Sequence, residues 1–287
     1  MIKIDSIANL RAASQNARSK NLRIGLIPTM GNLHEGHISL LKKIRRESDF
    51  VITSIFVNPL QFGRNEDLAK YPRTLTDDQK LLIAAGCDVL FTPLASEMYP
   101  DGLETHSKVS VPGVSEGLCG DCRPGHFDGV ATIVIKLLNI IQPDIAVFGQ
   151  KDFQQLAVIK KFTKDLNIST QIIEAPTIRA ADGLALSSRN SYLSPSDRSV
   201  APNLYQCIKH LSESIKSGTR EYYHLIKTAT EQLSLKGFKV EYIEVLNQKN
   251  LQPATDNDHQ LIILIAAQLG KTRLIDNIAF STLVENI

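Results

Sequence analysis

His34 and His37 carry the most pointed chemistry in the chain, three residues apart in the stretch PTMGNLHEGH at 28–37. Side chains at i and i+3 share one face of a helix, so both imidazoles can meet a single group. Upstream, residues 22–27 form a β-branched apolar run that Pro28 is expected to stop, and Ile38, Leu40, Leu41 and Ile44 resume at helical spacing. The histidines therefore fall on the first turn of a helix leaving the carboxyl end of a parallel strand. Backbone N–H groups and the positive end of the helix dipole favour an anion there, and a phosphate chain fits. Gly31 and Gly36 clear the approach. A lone histidine on the stripe of Leu33, Leu40 and Ile44 would read as a core residue; the pair with its glycines reads as a site.

Other polar groups stand where strands end. In TSIFVNPLQF at 53–62, Asn58 and Gln61 flank the proline that closes a strand. Amides offer donors and an acceptor without charge, which suits a hydroxylated anion, although N-P-x-Q is also an ordinary turn. In PDIAVFGQKDFQQL at 143–156, Gly149 reads as the turn and Lys151 as a point charge for phosphate. Asp152 there reads as a helix N-cap or a metal's outer partner, and Gln155 shares the face of Lys151 and Asp152. A solvated helix start is the plainer alternative. In IRAADGLALSSRN at 178–190, Gly183, two hydroxyls and Arg189 read either as a linker or as a mobile loop closing over a triphosphate. Arg123 and His126 in RPGHFDGV precede the most apolar helix, and Arg123 fits an anion contact or a surface salt bridge equally. Tyr71-Pro72-Arg73-Thr74, followed by Asp77 and Asp78, reads as a helix start whose acids complement the dipole.

The frame that must position these groups is an α/β one. Apolar runs at 22–27, 50–57, 89–91, 145–148 and 171–174 have the composition of strands buried on both faces. Between them, Val130, Ile133, Val134, Leu137, Leu138 and Ile141 fall on one helix face. The alternation predicts a doubly wound, parallel, Rossmann-like sheet over residues 1–175, with ligands at the carboxyl ends of its strands. Neither G-x-G-x-x-G nor G-x-x-x-x-G-K-[ST] occurs, which disfavours dinucleotide and P-loop sites. Residues 176–287 read as a smaller α+β domain. Ser194-Pro195-Ser196-Asp197 starts a helix to about 217, Gly218 closes it, and a second helix runs from about 219 to 237. A strand at 240–246 follows, then two strands at 261–268 and 272–280 around a tight turn at Leu269-Gly270.

Composition narrows the setting. Of 287 residues 43% are hydrophobic and 22% charged, and Lys plus Arg 32 against Asp plus Glu 30 leaves a net charge of +2. That surplus is too small for bulk attraction to nucleic acid or membrane, so any basic site is local. The first residues lack a signal peptide's apolar core, and no apolar run reaches the roughly 20 residues of a bilayer span, so a cytoplasmic protein is expected. Cys87 and Cys207 stand alone in sequence that looks helical. Cys119 and Cys122 form one C-x-x-C in a glycine-rich loop with no second pair, so reduced thiols and no protein-held metal are expected.

Taken in order, PTMGNLHEGH, SIFVNPLQF, YPRT, RPGHF, GQKDFQQL and DGLALSSRN resemble the pantothenate synthetase family, within the nucleotidylyltransferase superfamily that carries H-x-G-H. The resemblance runs from about residue 22 to 193 and continues more weakly in the C-terminal LIDN. H-x-G-H alone marks the superfamily; NPLQF, KDFQQ and ALSSRN specify the family. It implies an AMP-forming ligase that joins (R)-pantoate to β-alanine through a pantoyl adenylate, using ATP with Mg2+ on its phosphates and releasing AMP and pyrophosphate. It also implies a homodimer, with 1–175 binding ATP and pantoate and 176–287 acting as a lid.

Matched by motif, Met30, Gly31, Asn32, Leu33, His34, Glu35, Gly36 and His37 would contact ATP, as would Gly149, Gln150, Lys151 and Asp152. Ile178, Leu186, Ser187, Ser188 and Arg189 would complete the nucleotide site. Gln61 and Gln155 would hold pantoate, with Gln61 also near β-alanine. The catalytic set is His34, His37, Lys151 and Arg189, with His37 the proton donor. One departure is Gln150, where many relatives have Glu; an amide replaces an acceptor but not a charge. Two rival functions remain open at this point. A sibling adenylyl or cytidylyl transferase would stop after nucleotidyl transfer, and a non-catalytic nucleotide or RNA-binding module would have lost a histidine or the lysine and gained a basic face.

Overall fold

The computed structural model describes residues 1–64 and 66–283. They form two compact units, one of Met1–Gln150 with Gln154–Pro176, the other of Lys151–Phe153 with the chain from Thr177 onward.

The first unit contains β1 (Ile2–Ile4), α1 (Ile7–Ser19), β2 (Ile24–Thr29), α2 (Glu35–Ile44), β3 (Phe50–Ile55), α3 (Leu75–Ala84), β4 (Val89–Phe91), α4 (Ala95–Met98), α5 (Cys119–Cys122), α6 (His126–Ile141), β5 (Ile145–Gly149), α7 (Phe153–Asp165) and β6 (Gln171–Ala175). A 3₁₀ turn spans Pro59–Gln61. The six strands pair in parallel in the order β1-β4-β3-β2-β5-β6. Successive strands spread to one side of β2 and then, from β5, to the other. The crevice at the carboxyl ends of β2 and β5 is therefore the switch point where such sheets take ligands. Ile27, Val51, Leu90 and Val147 pack on one face with Leu41 and Ile44 of α2 and Leu82 of α3. Their strand neighbours Leu26, Ile52 and Ala146 are buried as well, as parallel strands covered on both faces require.

Several expectations need correcting. Pro28 does not stop β2, which begins two residues later than expected and pairs Pro28 with Ser54 and Thr29 with Ile55. The Ile24 carbonyl accepts from Asp144 on the β5 side and the Thr29 carbonyl from Phe56 on the β3 side. Alternation then turns the Pro28 nitrogen toward β5, beyond Leu26↔Ala146 where that pairing ends, so no ladder bond is lost. β3 ends at Ile55 rather than 57. Cys87 lies in the turn after α3, not in a helix, and Cys119 and Cys122 bound a short helical turn rather than an open loop.

The second unit holds α8 (Pro195–Val200), α9 (Asn203–Lys216), α10 (Tyr222–Leu235) and an antiparallel sheet of β7 (Phe238–Asn247), β8 (Gln260–Leu269) and β9 (Thr272–Ser281). Ser194 caps as expected, its Oγ accepting the Asp197 N–H at 3.1 Å. The single helix expected from there is two, because Pro202 has no N–H for the ladder and its ring opposes the carbonyl four residues back. Leu269 pairs with Thr272, so the β8–β9 turn is Gly270-Lys271 rather than Leu269-Gly270, and Gly270 takes φ +56°. Ile208, Leu211 and Ile215 of α9 and Leu233 of α10 cover Ile263, Ile265 and Leu274 of the sheet.

One buried ion pair ties this unit's first segment to its last strand. Arg179 Nη1 and Nη2 donate to the Asp276 carboxylate at 2.6 and 2.8 Å, and the guanidinium lies 3.6 Å over the Tyr205 ring. Asp276 is 3% exposed. Asp276→Ala is expected to destabilise the protein by ~3 kcal/mol, the scale of stripping a buried charge of its partner. Urea unfolding measures it, and a loss under ~1 kcal/mol would mean that the pair behaves as an exposed one.

Candidate functional site

The loop leaving β2 is set by its own backbone and by α3. Gly31 and Asn32 take left-handed φ values of +83° and +50°. The Asp78 carboxylate accepts from the N–H of Asn32 at 3.0 Å and of Leu33 at 2.8 Å, and from Thr74 Oγ1 at 3.1 Å. Asp78 is buried. It lies in the first turn of α3, as its place in the sequence suggests, and it also holds the histidine loop. An acid in a first turn gives no sequence sign of the distant backbone that it reaches.

His34 is the N-cap of α2 and His37 its third residue. His34 Nδ1 accepts the Gly36 N–H at 3.1 Å, and His37 Nδ1 accepts the His34 N–H at 3.3 Å. This is the reciprocal capping that Ser and Glu usually supply. The ring centroids are 4.2 Å apart and the planes are tilted by 46°. A nitrogen that accepts an N–H carries no proton, so each ring holds its proton on Nε2 and is neutral while the cap is intact. The pair therefore offers donors rather than two formal positive charges.

Gln61 ends the 3₁₀ turn and is buried. Its Nε2 donates to Met30 Sδ at 3.0 Å, and its Oε1 accepts from Asn58 Nδ2 at 3.2 Å. Asn58 Nδ2 also donates to the Gly129 carbonyl at 3.0 Å, while Oδ1 accepts from the Leu60 N–H at 3.3 Å and the Tyr99 hydroxyl at 2.7 Å. Both amide ends of Asn58 are thus used as a brace for Gln61. Tyr99, which the sequence did not single out, sets which end of Asn58 faces where; burial pushes its hydroxyl pKa up and keeps it a donor. A Cβ on Gly129 of α6 would stand 2.3 Å from the Leu60 carbonyl oxygen and 2.6 Å from the Gln61 nitrogen. Helix and turn meet at backbone contact.

Arg123 makes an ion pair, the plainer of its two readings, but a largely buried one. Its Nε and Nη2 donate to Glu66 at 2.7 and 2.6 Å, with side-chain exposures of 15% and 22%. Its Nη1 lies 2.9 Å from His126 Nε2, and His126 Nδ1 lies 2.8 Å from the Gln61 carbonyl oxygen. A carbonyl only accepts, so His126 keeps its proton on Nδ1, the opposite tautomer to His34 and His37. Burial works to raise the Glu66 pKa, but the hydrogen bond and charge of Arg123 outweigh it and hold the carboxyl below its ordinary 4.5.

Gly149 is the last residue of β5 rather than the turn, which is the 3₁₀ segment Gln150–Asp152. Gln150 Nε2 donates to Glu174 Oε2 at 3.0 Å, so this chain uses the donor end of the amide and β6 supplies a carboxylate beside it. Gln155 is half-buried on the first turn of α7. Its neighbour Gln154, missed in the sequence, accepts the Cys119 N–H at 3.1 Å and donates to the carbonyls of Val114, Glu116 and Gly117.

In the second unit Lys151 is half-buried and Asp152 exposed. The Lys151 carbonyl accepts from Asn277 Nδ2 at 2.8 Å. The segment from 178 is ordered into a short hairpin rather than a linker. Leu186 N–H donates to Ile178 O at 2.9 Å, Arg179 bridges Ala185, and Gly183 turns with φ +94°. Ser187 Oγ then accepts the Arg189 N–H at 3.3 Å and opens the 3₁₀ turn Ser188–Tyr192.

A doubly wound parallel sheet, with two imidazoles at a helix N-terminus beyond β2 and a braced amide beyond β3, defines an α/β protein of the class that takes ligands at its strand ends. Comparison with known proteins narrows the class. The family model of pantoate-beta-alanine ligase matches residues 2–279. The pantothenate synthetase of Pseudomonas fluorescens (strain Pf0-1) is 57% identical over 278 residues, covering 97% of both chains. Among solved structures, pantothenate synthetase from Thermus thermophilus superposes with a TM-score of 0.89 at 40% identity, over 97% of this chain and 99% of that one. The pantoate-beta-alanine ligase from Francisella tularensis, complexed with beta-gamma ATP and beta-alanine, gives 0.82 at 37% identity over 98% of each. The chain belongs to the pantoate–β-alanine ligase family, and the likeness seen in its motifs extends along nearly its whole length.

Two outcomes test the geometry. Gly129→Ala is expected to push the turn carrying Gln61 and lower ligase activity on the order of 10²-fold, the scale of a 1 Å misplacement. Unchanged activity in the folded variant would detach that contact from the site. Because the folded Glu66 pKa is depressed, its stabilisation is present above 4.5 and lost as pH falls through the folded value. Glu66→Gln should therefore lower the melting temperature at neutral pH, with the difference from the parent closing in acid; a constant difference would sink this account.

Proposed function

We propose that this chain condenses (R)-pantoate with β-alanine at the expense of ATP. The observation that carries the proposal is the imidazole pair, whose Nδ1 atoms are committed to backbone N–H groups at a helix N-terminus on the switch point of the sheet. Imidazole donors at a helix N-terminus suit phosphate oxygens. The Francisella tularensis ligase, complexed with beta-gamma ATP and beta-alanine, supports the same substrates.

Two displacements make up the reaction. A pantoate carboxylate oxygen attacks the α-phosphorus of ATP, the bond to the bridging oxygen breaks, and pyrophosphate leaves with that electron pair. The neutral amine of β-alanine then attacks the acyl carbon, the bond to AMP breaks, and the amide nitrogen loses its proton. No protein nucleophile is needed. Carboxylate and phosphate repel each other, so the first step depends on position and on electrostatic stabilisation. His34 and His37 would donate Nε2 hydrogen bonds to the phosphates; the proton-donor role that the resemblance gives His37 would need a ring released from its cap and protonated. Lys151 and Arg189 would add charge, and Ser187 and Ser188 further donors. Met30, Gly31, Asn32, Leu33, Glu35, Gly36, Gly149, Gln150, Asp152, Ile178 and Leu186 would complete the nucleotide contacts. Gln61 and Gln155 would hold pantoate, and Gln61 would also adjoin β-alanine. This requires the imidazoles of residues 1–175 and the Lys151 and Ser187–Arg189 segments to engage one nucleotide, with residues 176–287 serving as its lid. Excluding water protects the acyl adenylate, a reactive mixed anhydride.

Magnesium would enter on the triphosphate, which brings its own oxygen ligands. Among the described residues no group of three or more His, Cys, Asp or Glu side chains is placed to hold a metal. Among the described residues no helix is long and apolar enough to cross a membrane. A cytoplasmic homodimer is proposed on the family likeness, and its assembly is measurable by light scattering.

The test is AMP release with each substrate omitted in turn. Strict dependence on pantoate, β-alanine and ATP is expected. Nucleotidyl product accumulating without the amine would favour a sibling transferase, and ATP binding without turnover a non-catalytic module. His37→Ala and Lys151→Ala should each lose ~10²–10³ in turnover with circular dichroism unchanged; near-parental turnover would remove that residue from the mechanism.

A further inference from the structure

Lys151, Asp152 and Phe153 group with the second unit, although Gln150 before them and Gln154 after them group with the first. A side chain far along the sequence grips the first of them: Asn277 Nδ2 donates to the Lys151 carbonyl at 2.8 Å. Asn277 is 7% exposed and sits within β9, where its backbone pairs with Leu264. A buried amide on a paired strand is a rigid donor, because its backbone is fixed by the sheet and its side chain has little room to turn. Lys151 itself stands in a three-residue 3₁₀ turn, whose hydrogen bonding is poorer than that of an α-helix. The direction in which the lysine side chain leaves such a turn depends on what holds its peptide planes.

The residue next to Asn277 performs a parallel task. Asp276 takes Arg179 in a two-pronged ion pair, and Arg179 also donates to the Asn277 carbonyl at 3.3 Å and the Gly183 carbonyl at 3.1 Å. Arg179 lies in the stem of the hairpin that leads to Ser187 and Arg189. Two adjacent positions of one strand, the Asp-Asn of LIDN, thus hold the roots of both segments that carry cationic side chains in this unit's part of the proposed site.

We propose that Asn277 is a positioning residue for Lys151, fixing through the Lys151 carbonyl the turn from which the ammonium reaches the nucleotide's phosphates. This rests on the assignment of Lys151 to the nucleotide, and the experiment separates the two. ATP binding to the full-length chain is measured by calorimetry for the parent, Asn277→Ala, Lys151→Ala and the double variant. Asn277→Ala should weaken ATP binding roughly tenfold, the lower end of what losing an orienting outer partner costs. In the Lys151→Ala background the same change should alter affinity less than about twofold, since residues acting through one another are not additive. An equal loss in both backgrounds overturns the proposal and leaves Asn277 a support of the fold. Parental ATP affinity in Lys151→Ala alone would overturn the assignment of Lys151, and this inference with it. Asn277→Leu, which keeps the volume and removes the donor, should behave like Asn277→Ala; failure of both variants to fold also overturns the proposal.

Discussion

A histidine that caps a helix through Nδ1 cannot at the same time be an imidazolium, and two histidines in this chain do so in tandem. That constraint governs the first unit. It fixes the tautomer of both rings and makes the geometry of α2's first turn inseparable from the chemistry of the pair. Charge in the site must then come from other residues, while the imidazoles contribute direction. The rest of the unit serves the same end. Asp78 fixes the loop that delivers the rings, and the reversal of strand order at β2 leaves a crevice in front of them.

Around this pair, polar side chains hold other polar side chains by donor and acceptor matching. Tyr99 orients Asn58, Asn58 orients Gln61, and Gly129 lets α6 approach closely enough for its carbonyl to take the remaining Asn58 proton. The Arg123–Glu66 pair and His126 extend this order to the Gln61 carbonyl. A buried network of this kind is stable only when nearly every member is satisfied, and satisfaction is what makes its orientation single-valued. The amide end that Gln61 turns toward Met30 is therefore a property of Tyr99, Asn58 and one missing methyl group, with His126 and its partners holding the backbone beneath it.

Local chemistry was legible in the sequence and distant partnership was not. The histidine pair, the strand-to-helix alternation and the Ser194 cap are readable because each depends on residues within one or two turns. Pro28 misled because its tolerance in β2 depends on where the pairing with β5 stops. Pro202 was there to be read as a helix break, and the run of apolar positions around it hid the break. Arg123 could be assigned only once Glu66 and His126 were seen beside it. Gln150, a departure by composition, becomes intelligible only against Glu174 on the neighbouring strand. The C-terminal LIDN looked like a faint echo of the family because neither the Arg179 side chain held by Asp276 nor the Lys151 carbonyl held by Asn277 lies near it in the chain.

The allotment of Lys151–Phe153 to the second unit has a bearing on how the molecule can be taken apart. The border between the units crosses the polypeptide at 150/151, 153/154 and 176/177. No single scission yields both halves whole, since a fragment ending at Pro176 keeps the lysine turn but forfeits the strand that clasps it. Shuffling or recombining homologous genes at the obvious inter-domain seam would likewise pair one parent's turn with another's β9. Exchange is safest when the residues at 151–153 and 276–277 travel together.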